Sequence, residues 1–151
     1  MNKELNEDLK ATGMVQIKRI DSTGTVVQEF EVPNLVVTTG KTYIAAKMVA
    51  TTNSPVSMTH MAIGTGTTSP GASDTALGTQ AGRVALDGGS ATANAITYTA
   101  TFPAGTGTGA ITEAGIFNAS SGGTMLCRTV FPVVNKASGD TIAVTWVVTV
   151  S

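Results

Sequence analysis

The alternation of apolar residues with threonine constrains this chain more than any other feature of it. In Ile96-Thr-Tyr-Thr-Ala-Thr-Phe102, the residues Ile96, Tyr98, Ala100 and Phe102 fall on one side and three threonines on the other. The segment Thr141–Val150 repeats the pattern, with Ile142, Val144, Trp146, Val148 and Val150 opposed to Thr141, Thr145 and Thr149. Side chains alternate sides along a strand, so a period of two means a sheet with one buried face. Threonine suits a strand sterically and hydrates without carrying charge.

The same period marks most of the chain. Met14–Ile20 and Thr25–Val32 flank Asp21-Ser-Thr-Gly24, a turn in which Gly24 can take positive φ, which predicts a hairpin over 14–32. Pro33 and Asn34 are expected to end it, because proline cannot donate to a ladder. Further strands are predicted over Met58–Ile63, Gln80–Leu86, Ile96–Phe102, Ile111–Phe117, Thr124–Phe131 and Thr141–Val150. One helix is expected within Leu35–Ala50, capped by Thr38 or Thr39, with Tyr43, Ala46 and Val49, or Ile44 and Met48, at helical spacing. About eight closely spaced strands and one short helix predict an all-β fold, an antiparallel β-sandwich first and a barrel-like closure second. Trp146 and Phe102 are placed in its core.

The chain has 151 residues, which fits one domain, expected over 12–151. Its first ten residues carry Lys3, Glu4, Glu7, Asp8 and Lys10, so residues 1–11 are expected to form a polar arm. From Val49 onward only Asp74, Arg83, Asp87, Glu113, Arg128, Lys136 and Asp140 are charged. Overall 13% of residues are charged, about half the usual share for a soluble domain. A surface this poor in charge is solvated by hydroxyls or covered by neighbours, and the second is the expectation. No apolar run approaches the roughly 18 residues of a membrane helix. A net charge of −1 provides no field to recruit nucleic acid or an anionic membrane. Residues 1–10 lack the apolar core of a signal peptide, and a single cysteine rules out an internal disulfide framework.

Catalytic chemistry finds no foothold in the sequence. His60 is the sole histidine, and neither Thr59 nor Ser57 lies in a nucleophile motif. One histidine, one cysteine and scattered acids do not make a zinc site, and Asp74 and Asp87 lack the spacing of a calcium loop. The runs Gly64-Thr-Gly66-Thr-Thr-Ser-Pro70 and Gly105-Thr-Gly-Thr-Gly109 lack the Gly-Lys-Ser/Thr ending of a phosphate loop and are taken as turns. Cys127 is taken as a small buried side chain. The expectation is a protein that is not an enzyme, with no catalytic, cofactor or metal residues.

Several blocks carry a resemblance. They are Val32-Pro-Asn-Leu-Val-Val-Thr-Thr-Gly-Lys-Thr-Tyr-Ile-Ala-Ala-Lys-Met48, Met58-Thr-His-Met-Ala-Ile-Gly-Thr-Gly66, Asp74-Thr-Ala-Leu-Gly-Thr-Gln80 with Arg83-Val-Ala85, Ile111-Thr-Glu-Ala-Gly-Ile-Phe-Asn118 and Met125-Leu-Cys-Arg-Thr-Val-Phe131. In this order they resemble both the head-decoration proteins of tailed bacteriophages and the N-terminal domain of tail-collar fibre proteins. The resemblance implies a virion structural component, assembled in the bacterial host cytoplasm, with no catalytic residues to carry over. Within these blocks Glu113 is expected to pair with Arg83 or Arg128 and tie strands together. Tail-collar fibre chains continue into a shaft or tip, and none follows Ser151, which favours a capsid decoration or cement protein. Its expected partners are the major capsid protein and its own copies, as a dimer or trimer, with contacts through the arm and the Gly/Thr loops. A tail or collar adaptor is the alternative, and a carbohydrate-binding attachment module the third expectation.

Overall fold

The computed structural model describes residues 8–49, 52 and 54–151. Among these, nine strands and one helix follow in chain order: β1 (Ala11–Ile20), β2 (Val26–Val36), α1 (Thr38–Lys47), β3 (His60–Gly64), β4 (Gln80–Ala85), β5 (Gly88–Thr92), β6 (Ala95–Phe102), β7 (Gly109–Phe117), β8 (Met125–Lys136) and β9 (Thr141–Val150). All pairings are antiparallel and join one sheet in the order β4-β3-β7-β8-β2-β1-β9-β6-β5. The ladder between β2 and β8 consists of Leu35 opposite Arg128 and Val36 opposite Cys127. The sheet curls into a half-barrel. The all-β fold with one short helix that the alternation predicts is the fold that forms, and the curl gives it barrel-like character.

The core fills the inside of the curl. Val15 and Ile17 of β1 pack with Ile142, Val144, Trp146 and Val148 of β9 and with Phe102 of β6. From the other half come Met61, Ile63, Ile111, Ile116 and Val134. Burying such side chains is worth about 1.5–3 kcal/mol each against leaving them in water. Every inward residue predicted on Thr141–Val150 up to Val148 is 2% exposed or less.

Three local differences from the sequence reading have physical causes. First, β2 runs through Pro33 and Asn34 rather than ending there. Its ladder to β8 starts only at Leu35, so on that side Pro33 occupies an edge, where a missing N–H costs little. The Pro33 carbonyl also accepts a hydrogen bond from Thr129 Oγ1 at 2.8 Å. Second, α1 begins at Thr38 with Val37 as its N-cap and no side-chain cap, since Thr39 Oγ1 instead donates to the carbonyl of Met125. Leu35 and Val36 belong to the strand. Third, Gly88-Gly-Ser-Ala-Thr92 is a strand although nothing in it alternates in polarity. Its exposed side chains give no pattern to detect.

The hairpin turn between β1 and β2 is built as expected. Asp21 Oδ1 accepts from the N–H groups of Thr23 and Thr25, and Gly24 sits at φ +85°. The hydroxyl of Thr23, donating to the same oxygen, and then the Thr25 N–H hold the Asp21 carboxyl below its usual range.

The turn between β5 and β6 is less well matched to its sequence. Ala93 lies at φ +53°, a region that costs an L-residue about 1–2 kcal/mol. Ala93→Gly is expected to raise stability by about 0.5–1 kcal/mol after glycine's extra chain entropy. Thermal unfolding checks this, and an unchanged or lower Tm would show the turn to be unstrained.

For the arm expected over residues 1–11, residues 1–7 lie outside the described residues. Lys10 is paired with Ser151 through N–H to carbonyl bonds in both directions, and Ala11 opens β1, so these two continue the sheet.

Candidate functional site

Four of the sequence blocks meet at one buried carboxylate. Glu113 on β7 has no exposed surface. Its Oε1 accepts from the N–H groups of Thr79 at 2.7 Å and Gly66 at 2.9 Å. Its Oε2 accepts from the Gly78 N–H at 2.9 Å and from Arg128 Nη2 at 2.8 Å and Nε at 3.1 Å. Arg128, on β8, reaches further with the same fork. Nη1 donates to Asp74 Oδ2 at 2.9 Å and Nη2 to the Thr68 carbonyl at 3.0 Å. Asp74 in turn accepts from the Gly71 N–H. Residues 65–79 have no secondary structure of their own, and this cluster fastens them at Gly66, Thr68, Asp74, Gly78 and Thr79.

Glycine makes the cluster possible. A Cβ on Gly66 would stand 2.5 Å from Glu113 Oε1, and one on Gly64 would stand 2.3 Å from the Thr79 carbonyl. Burial pushes the Glu113 carboxyl up, but the N–H groups of Thr79 and Gly78, the Arg128 guanidinium and the Gly66 N–H outweigh it. The result lies below the usual carboxylate value. A buried charge with this many donors is compensated.

Of the two partners expected for Glu113, Arg128 takes the role. Arg83 lies instead over the Phe117 ring, 3.8 Å from its centroid, and donates to Gln80 Oε1 and to the carbonyls of Ala119 and Gly122. The carbonyl contacts tie β4 to the loop between β7 and β8.

A second buried cation goes unannounced by the sequence. Lys136 Nζ donates to the carbonyls of Pro103 and Asp140, and Asp140 pairs with Arg19 at 3.0 Å. These contacts tie the β6–β7 loop and the β8–β9 turn to each other and to β1.

The remaining candidates are dispersed. His60 stands at the start of β3, its Nδ1 2.8 Å from Thr59 Oγ1. Cys127 is fully buried, and burial pushes its thiol up. Asp87 accepts from Thr101 Oγ1. Among the described residues no three His, Cys, Asp or Glu side chains gather as metal ligands, and no helix is long and apolar enough to cross a membrane. Around α1 the packing is loose. A cavity of about 260 Å³ lies between Tyr43, Ile44 and Lys47 of the helix and Ile96, Tyr98 and Val148 of the sheet. An open groove of about 380 Å³ runs past Thr38, Thr42 and Pro55. Lys47 is the charged side chain at the first, and the groove's lining carries none. Burial, with Tyr43 and Cys127 nearby, pushes the Tyr98 hydroxyl up to about 12.

One end of the sheet is poor in charge. β9, β6 and β5 contain no charged residue. On their outer face Thr145 stands opposite Thr99, Val147 opposite Thr97, Ala143 opposite Thr101 and Thr149 opposite Ala95. Ser90 extends the Thr97 row onto β5. β1 and β2 instead carry Lys18, Glu29 and Glu31 outward. The outcome is a threonine-rich face whose own strands carry no charge, with the Asp87 carboxylate bonded to Thr101 and Lys18 opposite Ala143 at its margins, and it ends at β5.

Comparison with family models, with curated proteins and with solved structures finds no match.

Proposed function

We propose that this chain is a non-enzymatic structural protein of a bacteriophage virion, a capsid decoration or cement protein that bridges major capsid subunits. The observation that carries this reading is the charge-poor, threonine-rich end of the sheet. Covering the centre of such a face desolvates only hydroxyls and apolar groups, with Asp87 and Lys18 left at the rim, so a neighbour can seat on it at a small polar cost. The pinned loop is a second support. A cement protein acts only if its own surface keeps its shape, and the Glu113–Arg128 cluster holds residues 65–79 rigidly on the sheet. Binding to assembled heads but not to free subunits would stabilise the head by mass action.

Cryo-EM of the intact particle, with this chain traced into the density, tests the reading. Density repeated over the capsid faces and bridging major capsid subunits is the expected result. Density confined to the portal vertex or tail would make the chain a collar or fibre adaptor, and absence from the particle would overturn a virion role altogether.

A further inference from the structure

We propose that the free edge of β5 is a self-association surface, on which the β5 strand of a second copy pairs antiparallel and continues the sheet across a twofold axis. This inference does not depend on a virion role. It starts from the unequal treatment of the sheet's two edges, β4 and β5. β4 is guarded. It carries Arg83, whose guanidinium is tied to the loop beyond β7, and Gly82 packs within 3.1–3.2 Å, measured from an ideal Cβ, of Thr106 and Gly107. β5 has none of this. All five of its residues are exposed, among the described residues it pairs only with β6, and none of its residues is charged, bulged or proline.

Proteins blunt sheet edges with charges, prolines, bulges or a covering loop, because an edge presents unpaired N–H and C=O groups to any extended chain. In an antiparallel ladder every second residue turns both groups away from its partner strand. On β5 those groups face outward without a charged side chain beside them. The side chains of Gly88, Gly89, Ser90 and Ala91 are too small to hold an approaching strand off. Glycine-rich strands hold poorly with a ladder on one side only, so a second ladder would give β5 the support its side chains do not.

The occupant that fits is an identical copy. An antiparallel pair of one strand with itself is self-complementary about a twofold axis, the commonest symmetry of small oligomers. The long register centres on Ser90, the middle residue, and sets Ser90 opposite Ser90. Like charges directly opposite each other would forbid such a pairing, and here there are none. Continuing the sheet also joins the two threonine-rich faces into one surface.

Sedimentation of the full chain at rising concentration tests this, together with Ser90→Lys and Ser90→Cys. The wild type is expected to approach twice the 15.3 kDa of one chain, and Ser90→Lys, which opposes two ammonium groups on the axis, to remain a folded monomer. Residues opposed across an antiparallel pair have Cα atoms about 4.5–5.5 Å apart. That lies inside the roughly 4.4–6.8 Å range of a disulfide. Ser90→Cys is therefore expected to cross-link under mild oxidation, while Ser120→Cys, exposed on the loop between β7 and β8, is not. The native Cys127 is buried and does not compete. A wild type that stays monomeric, or a dimer that survives Ser90→Lys and fails to cross-link through Cys at 90, would overturn the proposal.

Discussion

Glu113→Gln is expected to destabilise the protein by about 3–5 kcal/mol, the range for breaking a buried ion pair by altering one partner. The substitution is nearly isosteric, so packing changes little and the loss isolates the hydrogen bonding. Both oxygens of Glu113 face only donors: two N–H groups on Oε1, and one N–H and the Arg128 fork on Oε2. A glutamine amide offers one acceptor and one NH₂. Whichever way it flips, the NH₂ points at donors that lose their acceptor, and the Arg128 guanidinium is left buried beside a neutral group. For a chain of this length each kcal/mol moves Tm by about 2–4 °C. Loss of protection in residues 65–79 by hydrogen exchange should accompany the fall in Tm. A variant that melts within a degree or two of the wild type would show the cluster to be incidental.

The same carboxylate sets how the fold responds to acid. Its folded pKa lies below the usual 4.5, so the stabilisation it contributes is complete above that value. It is lost as pH falls through the folded value, because below that point both states are protonated. Asp140 acts in the same direction, held low by the Ala137 N–H and by Arg19. The Glu113→Gln protein should therefore show a shallower loss of stability below the usual value of 4.5 than the wild type. Equal acid limbs in the two proteins would assign the dependence to other groups.

The parts of this molecule that were legible in the sequence are those where one physical rule acts alone. Burial on one side of a strand dictates the alternation of Ile142, Val144, Trp146 and Val148, and the observed strand has the predicted bounds. The turn at Asp21–Gly24 follows from a side-chain acceptor and a residue free to take positive φ. What escaped is where tertiary context decides. β5 has no buried face, so it has no pattern, and only its ladder with β6 makes it a strand. Pro33 reads as a stop, yet the splice to β8 leaves its nitrogen unneeded. The pairing of Glu113 with a basic residue was readable from the scarcity of charge. The choice of Arg128 over Arg83 depends on register, since Glu113 faces the neighbourhood of Val130 across the β7–β8 ladder. The capture of Asp74 and of three loop N–H groups by the same pair lies beyond any local rule, because those contacts span 34 to 54 residues of sequence.

Gly40 exposes the same limit in reverse, and its replacement should contradict helix propensity. Alanine inside a helix is favoured over glycine by about 1 kcal/mol, so Gly40→Ala on α1 considered alone should stabilise. In the fold Gly40 is the buried residue of the helix, and a Cβ there would stand 2.0 Å from the carbonyl oxygen of Leu126 and 2.8 Å from its carbonyl carbon. Those atoms belong to β8, a central strand whose backbone is held by β7 on one side and by the splice to β2 on the other. The strand cannot yield, so the helix must lift. Lifting it weakens the bond from the Val37 N–H to Leu126 and separates Tyr43 and Ile44 from the core they flank. Overpacking of this kind costs about 1–3 kcal/mol. With the obstacle a fixed backbone, we expect the upper end, which exceeds the propensity gain and leaves a net loss of about 2 kcal/mol. Chemical denaturation of Gly40→Ala beside Ala46→Gly on the same helix separates the effects. If propensity ruled, the first would gain stability and the second lose it. If close approach rules, as the Leu126 contact requires, both lose, and Gly40→Ala loses more.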